Sequence, residues 1–182
     1  DFETAFKTHN FVASSLRISN CVVESPEHAN IGLVKNLALM ATIITSPKNE
    51  VNNVYENITT NKNFININNY QPAKLGTMTK VFLDGEWIGF TENPIILRNE
   101  LLKMKRNNVI LNTNGIIFNL VMNEIRINTD SGRLSRPLLL VENNELVANG
   151  KMIDDVMENK EYDGLNKWEL FLSQYSNAIE YV

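Results

Sequence analysis

Val81-Phe82-Leu83-Asp84-Gly85-Glu86-Trp87-Ile88 decides the fold class of this chain. Two apolar-rich arms flank Asp84-Gly85, the signature of a β-hairpin closed by a two-residue loop. Asp-Gly supplies the positive φ values that a type I′ turn requires. Asn93-Pro94 follows as an N-cap with proline at the first helical position, predicting a helix to about Arg106. Leu97, Leu101 and Met104 form its expected buried stripe. Lys103, Lys105 and Arg106 crowd its last turn, where cations complement the helix dipole. Capping and solvation account for that basic cluster more cheaply than contact with phosphate.

Toward the C-terminus, Ile116 to Met122 reads as an apolar strand, and Glu124-Ile125-Arg126-Ile127-Asn128 alternates as a half-buried strand should. Asp130-Ser131-Gly132 turns the chain, and Leu138 to Val141 is expected to form a further buried strand. The loop from Gly132 to Pro137 carries Arg133 and Arg136. Two arginines there suit a phosphate clamp. Asp130 is near enough in sequence to pair with one of them, and a structural ion pair is the simpler role. Lys151–Asn159 and Asn166–Tyr175 read as short core-forming helices, the second with Trp168, Phe171, Leu172 and Tyr175 inward. The pattern predicts an α+β fold built from small mixed helix and antiparallel-strand domains.

Toward the N-terminus, Asn49 to Asn69 is polar and Asn-rich. Val51, Val54, Tyr55 and Ile58 fall at helical spacing, and Phe64 to Asn68 suits a short edge strand. The stretch reads as a variable connector inserted at the surface. Before it, Glu24-Ser25-Pro26-Glu27 is an acidic turn stiffened by Pro26. Asn30 suits an N-cap for a mostly buried helix from about Ile31 to Thr42, with Leu33, Leu37 and Met40 on one face. On physics alone this is a buried helix behind a tight turn.

The chain has 182 residues and a net charge of −4, enough for one medium domain or two small ones. The acidic balance argues against an autonomous nucleic-acid-binding module, though not against a piece of a larger machine whose basic channel lies elsewhere. One cysteine precludes an internal disulfide and suits a reducing, intracellular setting. One cysteine and two histidines are too few for a zinc site. No apolar run approaches membrane-spanning length. Two-metal nucleotidyl transfer needs clustered carboxylates, and Asp154-Asp155 is only a solvated pair. No phosphate-binding glycine loop and no Ser/His/Asp set is recognisable. No catalytic residue and no metal ligand is therefore assigned, and the chain alone is expected to be inert.

The order of residues across these stretches resembles the second-largest (beta-type) subunit of multisubunit DNA-directed RNA polymerase. The family signature Cys-Pro-x-Glu-Thr-Pro-Glu-Gly, then Gly-Leu and an apolar helix, is matched by Cys21, Glu24, Pro26, Glu27, Gly32, Leu33, Lys35, Asn36 and Leu37. Ser25 replaces the family Thr, Val22 the Pro and His28 the Gly. Further on, Val81, Phe82, Gly85, Trp87, Gly89, Asn93 and Pro94 match a second motif. Ile125-Arg126-Ile127, Thr129-Asp130, Gly132-Arg133 and Arg136-Pro137-Leu138 match its continuation. Trp168 and Ile179-Glu180-Tyr181 match a third. The basic loop the family carries between Leu16-Arg17 and the acidic turn has no counterpart here: either the chain has lost it or the alignment fails at that point. The departures and the heavy Asn and Ile usage fit a polymerase from a large DNA virus.

The resemblance implies four regions: 1–47 as the end of the fork with the acidic turn, 48–76 as the connector, 77–145 as an external domain, and 146–182 as the start of a second external region. A first residue other than Met, and a last strand that looks cut midway, fit a fragment of a larger subunit. The resemblance implies that Glu24, Ser25, Pro26 and Glu27 lie near the nucleotide-addition site. Glu24 would position and tune, and Glu27 would fix the turn. It implies Mg2+ in the whole enzyme, bound outside this chain. The implied partners are the largest subunit and other polymerase subunits, with DNA template and RNA reached through the whole complex and no membrane. The setting would be intracellular, with nucleus, host cytoplasm and virion left open. The alternative is a stand-alone, non-catalytic interaction domain derived from such a subunit; an unrelated hydrolase has no motif support.

Overall fold

The computed structural model describes Cys21, Glu24 and residues 34–69, 77–158 and 166–181. The chain divides into two compact units. One comprises Asp1–Thr45, Ser131–Leu138 and Tyr181–Val182, the other Ser46–Asp130 and Leu139–Glu180.

The larger unit is organised by the hairpin. Strands β3 (Thr79–Leu83) and β4 (Glu86–Thr91) pair antiparallel around Asp84-Gly85, whose φ values of 47° and 87° give the expected turn. Gly85 carries the larger positive φ, which a residue without Cβ adopts readily. The edge strand β2 (Ile65–Asn66) adds to β4, as its sequence predicted. On the other side β6 (Glu124–Asn128) runs parallel to β3, and β5 (Gly115–Asn119) closes the sheet antiparallel to β6. The order is β2-β4-β3-β6-β5.

Val81, Leu83, Ile125 and Ile127 share one face of this sheet. They form a single core with Val54 and Ile58 of helix α1 (Glu50–Thr59) and with Leu97 and Leu101 of helix α2 (Pro94–Arg106). The fold is thus a small α+β arrangement, as the sequence implied, but β3 and β6 run parallel, so the sheet is mixed where antiparallel strands were expected. After β6 come β9 (Val141–Glu142) and β10 (Glu145–Leu146), a second tight hairpin, then helices α3 (Gly150–Glu158) and α4 (Lys167–Gln174) and strand β11 (Ile179–Tyr181).

Part of the Asn-rich stretch lies in the core rather than at the surface. Val54 and Ile58, one helical turn apart, are fully buried in the core, so the Asn-rich stretch supplies one of its walls. Val51 and Tyr55, from the same spacing, remain partly exposed. The strand expected over Ile116–Met122 stops at Asn119. The Asn119 side chain accepts from the backbone N–H of Val121 (3.0 Å) and Met122 (3.2 Å), and this local turn outcompetes the ladder. Leu120, Val121 and Met122 stand out in solvent, Val121 at 93% exposure. Leu138, Leu139 and Val141 are likewise exposed rather than buried; β8 covers only Pro137–Leu139. Pro94 opens α2, but Asn93 makes no side-chain cap; the Asn93 N–H instead donates to Thr91 Oγ1 at 3.2 Å. Helix α4 forms as expected and is capped by Asn166, whose side chain accepts from Trp168 N–H at 3.1 Å. Its buried residues are Leu170 and Phe171, with Trp168, Leu172 and Tyr175 half-buried.

In the smaller unit, β1 (Thr42–Ile43) pairs antiparallel with β7 (Leu134–Ser135). The buried helix expected over Ile31–Thr42 is absent from its described part, residues 34–42. Ala41 N–H closes a turn onto Ala38 O (3.0 Å), Met40 sits at φ 67°, and Leu39 is 83% exposed. A left-handed residue ends any helix at that point. Ile31, Leu33 and the proposed cap Asn30 lie outside the described residues.

Candidate functional site

Glu24 sits in an exposed turn. Two bonds to Asn36 hold it there: the Asn36 side chain donates to Glu24 O (3.2 Å), and Cys21 N–H donates to Asn36 O (2.8 Å). Asn36 therefore bonds the backbone of both Cys21 and Glu24, and Glu24 is exposed. Ser25, Pro26 and Glu27, expected beside it, lie outside the described residues, as do Arg17 and His28.

The arginine loop is pinned by backbone. Ile44 N–H donates to Arg133 O (2.9 Å), and Gly132 N–H donates back to Ile44 O (2.9 Å), with Gly132 at φ 88°. Arg133 and Arg136 are half-buried and Asp130 is exposed. The loop thus extends the β1–β7 pairing by one more exchange of backbone hydrogen bonds.

The chemistry that sequence reasoning missed lies at the end of α2. Lys105 is only 3% exposed and its Nζ lies 2.7 Å from Glu180 Oε1. Arg106 Nε approaches Glu180 Oε2 at 3.4 Å, and its Nη1 approaches Glu142 at 3.6 Å. The solvated reading of this basic cluster is therefore corrected for Lys105 and Arg106. Lys105 continues the Leu97–Leu101 stripe at a four-residue step, and that spacing was the signal that marked it as inward. A second missed residue is Glu50. It is buried and accepts from Leu111 N–H (2.9 Å) and from the Asn114 side chain (2.8 Å), tying the start of α1 to the approach to β5.

Asp84 does more than turn the hairpin. Its carboxylate accepts from Thr129 N–H at 2.6 Å and from the Thr129 hydroxyl, which locks the turn to the end of β6. Two phenols are perturbed. Partial burial raises Tyr175 above its ordinary value, helped by Asp155, which accepts its proton in a hydrogen bond at 3.1 Å and repels the phenolate. Burial raises Tyr181. Among the described residues, no three His, Cys, Asp or Glu side chains gather where they could hold a metal ion. No helix there is long and apolar enough to cross a membrane.

Comparison with known proteins fits this arrangement. The family described as RNA polymerase Rpb2, domain 4, matches residues 81–142, the stretch from the organising hairpin to β9. RNA polymerase Rpb2, domain 3, matches residues 18–43, which hold Glu24 and Asn36. The chain is 34% identical to DNA-directed RNA polymerase subunit 2 of Acanthamoeba polyphaga mimivirus over 165 residues, 90% of this chain and 13% of that protein. It is 35% identical to DNA-directed RNA polymerase II subunit 2 of Arabidopsis thaliana, over 89% of this chain and 13% of that protein. It is 32% identical to the RPB2 subunit of Schizosaccharomyces pombe, over 89% of this chain and 14% of that protein. The chain thus spans about an eighth of the length of these relatives. With two domains matched in family order and nine-tenths of its length aligned, the chain belongs to the family of second-largest subunits of DNA-directed RNA polymerase, as a stretch of such a subunit.

Proposed function

We propose that this chain serves DNA-templated RNA synthesis as a non-catalytic stretch of the polymerase's second-largest subunit. The observation that carries the reading is the alignment of 90% of the chain, at 34% identity, with a polymerase subunit. The whole enzyme would be a nucleotidyltransferase. Its partners would be the largest subunit, the other polymerase subunits, DNA template and RNA, in an intracellular setting. The region around the mixed sheet would act as scaffold. Its support is a continuous core and the internal ties made by Glu50, Asp84 and Lys105, side chains that stabilise the fold.

Glu24 would tune nucleotide addition from nearby. It is exposed, and Asn36 fixes the backbone beneath it. A carboxylate so presented can meet a moving element or a substrate contact without taking part in bond making. Ser25, Pro26 and Glu27 would share that neighbourhood, and Arg133 and Arg136 would hold their loop or meet phosphate. Mg2+, which the family resemblance implies for the whole enzyme, would be held elsewhere in the assembly.

Glu24→Ala in the assembled enzyme tests the Glu24 role. The expected result is an altered elongation rate or misincorporation frequency with normal subunit assembly. Wild-type kinetics at both readouts would remove Glu24 from nucleotide addition.

A further inference from the structure

The chain's net charge is concentrated. From Leu139 to Glu158 the sequence holds Glu142, Glu145, Asp154, Asp155 and Glu158 against the single cation Lys151, so this stretch carries a net −4 and the remainder is balanced. The same stretch exposes four large apolar side chains, Val141, Leu146, Ile153 and Met157, each by half or more.

These residues have a definite arrangement. Across the β9–β10 hairpin, Val141 lies opposite Leu146 and Glu142 opposite Glu145. Arg106 Nη1, 3.6 Å from Glu142, offsets this like-charge pair from one side and leaves Glu145 on the outer strand. On α3, Ile153 and Met157 lie one turn apart and form an exposed ridge. Val156 is buried and Met152 half-buried, on the adjoining side of the helix. The apolar stripe of α3 is therefore wider than the part that is covered. Asp154 and Glu158, also one turn apart, run along the outer flank of the ridge. Three residues separate Leu146 from Gly150, so hairpin and helix stay within on the order of 14 Å of each other.

We propose that this acidic, apolar-ridged face docks a basic amphipathic segment of another polypeptide. The ridge offers burial, while the carboxylates select lysine- and arginine-rich partners and steer their approach. The same carboxylates repel the phosphates of nucleic acids and anionic lipids, which leaves a protein segment as the fitting occupant. Helical recognition of this kind reads apolar anchors at i, i+3 or i+4 and i+7. Met157 can adapt its unbranched side chain to such anchors. The inference rests on the chemistry of this face and does not depend on the role of Glu24.

The test places a photo-crosslinking phenylalanine derivative at Ile153, and separately at Met157, in the full-length subunit within its native assembly. Both positions are exposed, so folding does not depend on either. The crosslinked peptide is then identified by mass spectrometry. The expected product is a segment of a different polypeptide with excess Lys and Arg and apolar residues at helical spacing. Asp154→Asn with Glu158→Gln should lower its yield at least about fivefold, as should raising the salt to about 0.5 M. Crosslinks confined to the same subunit, to a second copy, to nucleic acid or to a segment without basic excess would overturn the proposal. So would the absence of any crosslink from both positions.

Discussion

Lys105 and Glu180, 75 residues apart in sequence, meet at 2.7 Å with the lysine almost wholly out of solvent. The pair fastens the end of α2 to β11. Ser176 reinforces the same junction, accepting from the Asn108 side chain at 2.8 Å. Removing one partner of a buried pair leaves an uncompensated charge, which costs more than the pair itself contributes. Glu180→Ala should therefore destabilise the chain by about 3 kcal/mol in denaturant unfolding. Lys105→Met combined with Glu180→Leu should recover most of that loss. Equal loss in the single and double variants would show that packing, not charge, holds the junction.

Gly89 is fixed by the edge strand. A Cβ there would collide with the Ile65 carbonyl oxygen and would lie 2.6 Å from Cζ of the buried Phe64 ring. Gly89→Ala should cost about 3 kcal/mol through overpacking and should release β2 from β4, seen as faster amide exchange at Phe90. Gly85→Ala is the contrast. Nothing lies within 4 Å of its Cβ, so only its φ of 87° counts, and the loss should be about 1–2 kcal/mol.

The helix in the Asn-rich stretch belongs to the core. Ile58→Ala should lower stability by about 2–5 kcal/mol, as for other fully buried isoleucines, while Val51→Ala should change it by less than about 1 kcal/mol. Equal, small effects at both positions would restore the surface-insertion reading. Thermal melts of the two variants decide between them.

These contrasts show what was legible in the sequence. The β3–β4 hairpin, the proline-led start of α2 and the alternation of β6 are local, and each formed as its residues specify. Val54 and Ile58 were visible at helical spacing, but surrounding asparagines masked their burial, because a core wall needs only a narrow stripe. The apolar run ending at Met40 misled in the opposite direction. Its composition suits a helix, yet the chain turns at Met40 and pairs Thr42-Ile43 with strand residues some ninety positions later. The inward spacing of Lys105 was legible, but its partner Glu180, 75 residues on, was not. For the candidate site, the resemblance carried Glu24, whereas its tie to Asn36 required coordinates.

Tyr175 links α4 to α3 through Asp155, and its phenol is held above the ordinary value of 10.0. The protonated phenol is the form the fold favours. Its contribution is therefore fully present below the unfolded-state value and is lost as pH rises through the higher folded-state value. Asp155→Asn should lower the midpoint of tyrosinate formation, read by ultraviolet absorbance. An unchanged midpoint would mean that the hydrogen bond does not form in solution.

The most direct test of the central claim is to purify the native assembly that contains this chain, identify its subunits by mass spectrometry and assay it on a DNA template. The predicted result is co-purification with a largest polymerase subunit, together with template-dependent RNA synthesis. Recovery of this chain free of any polymerase subunit, without RNA synthesis, would contradict its role in a polymerase.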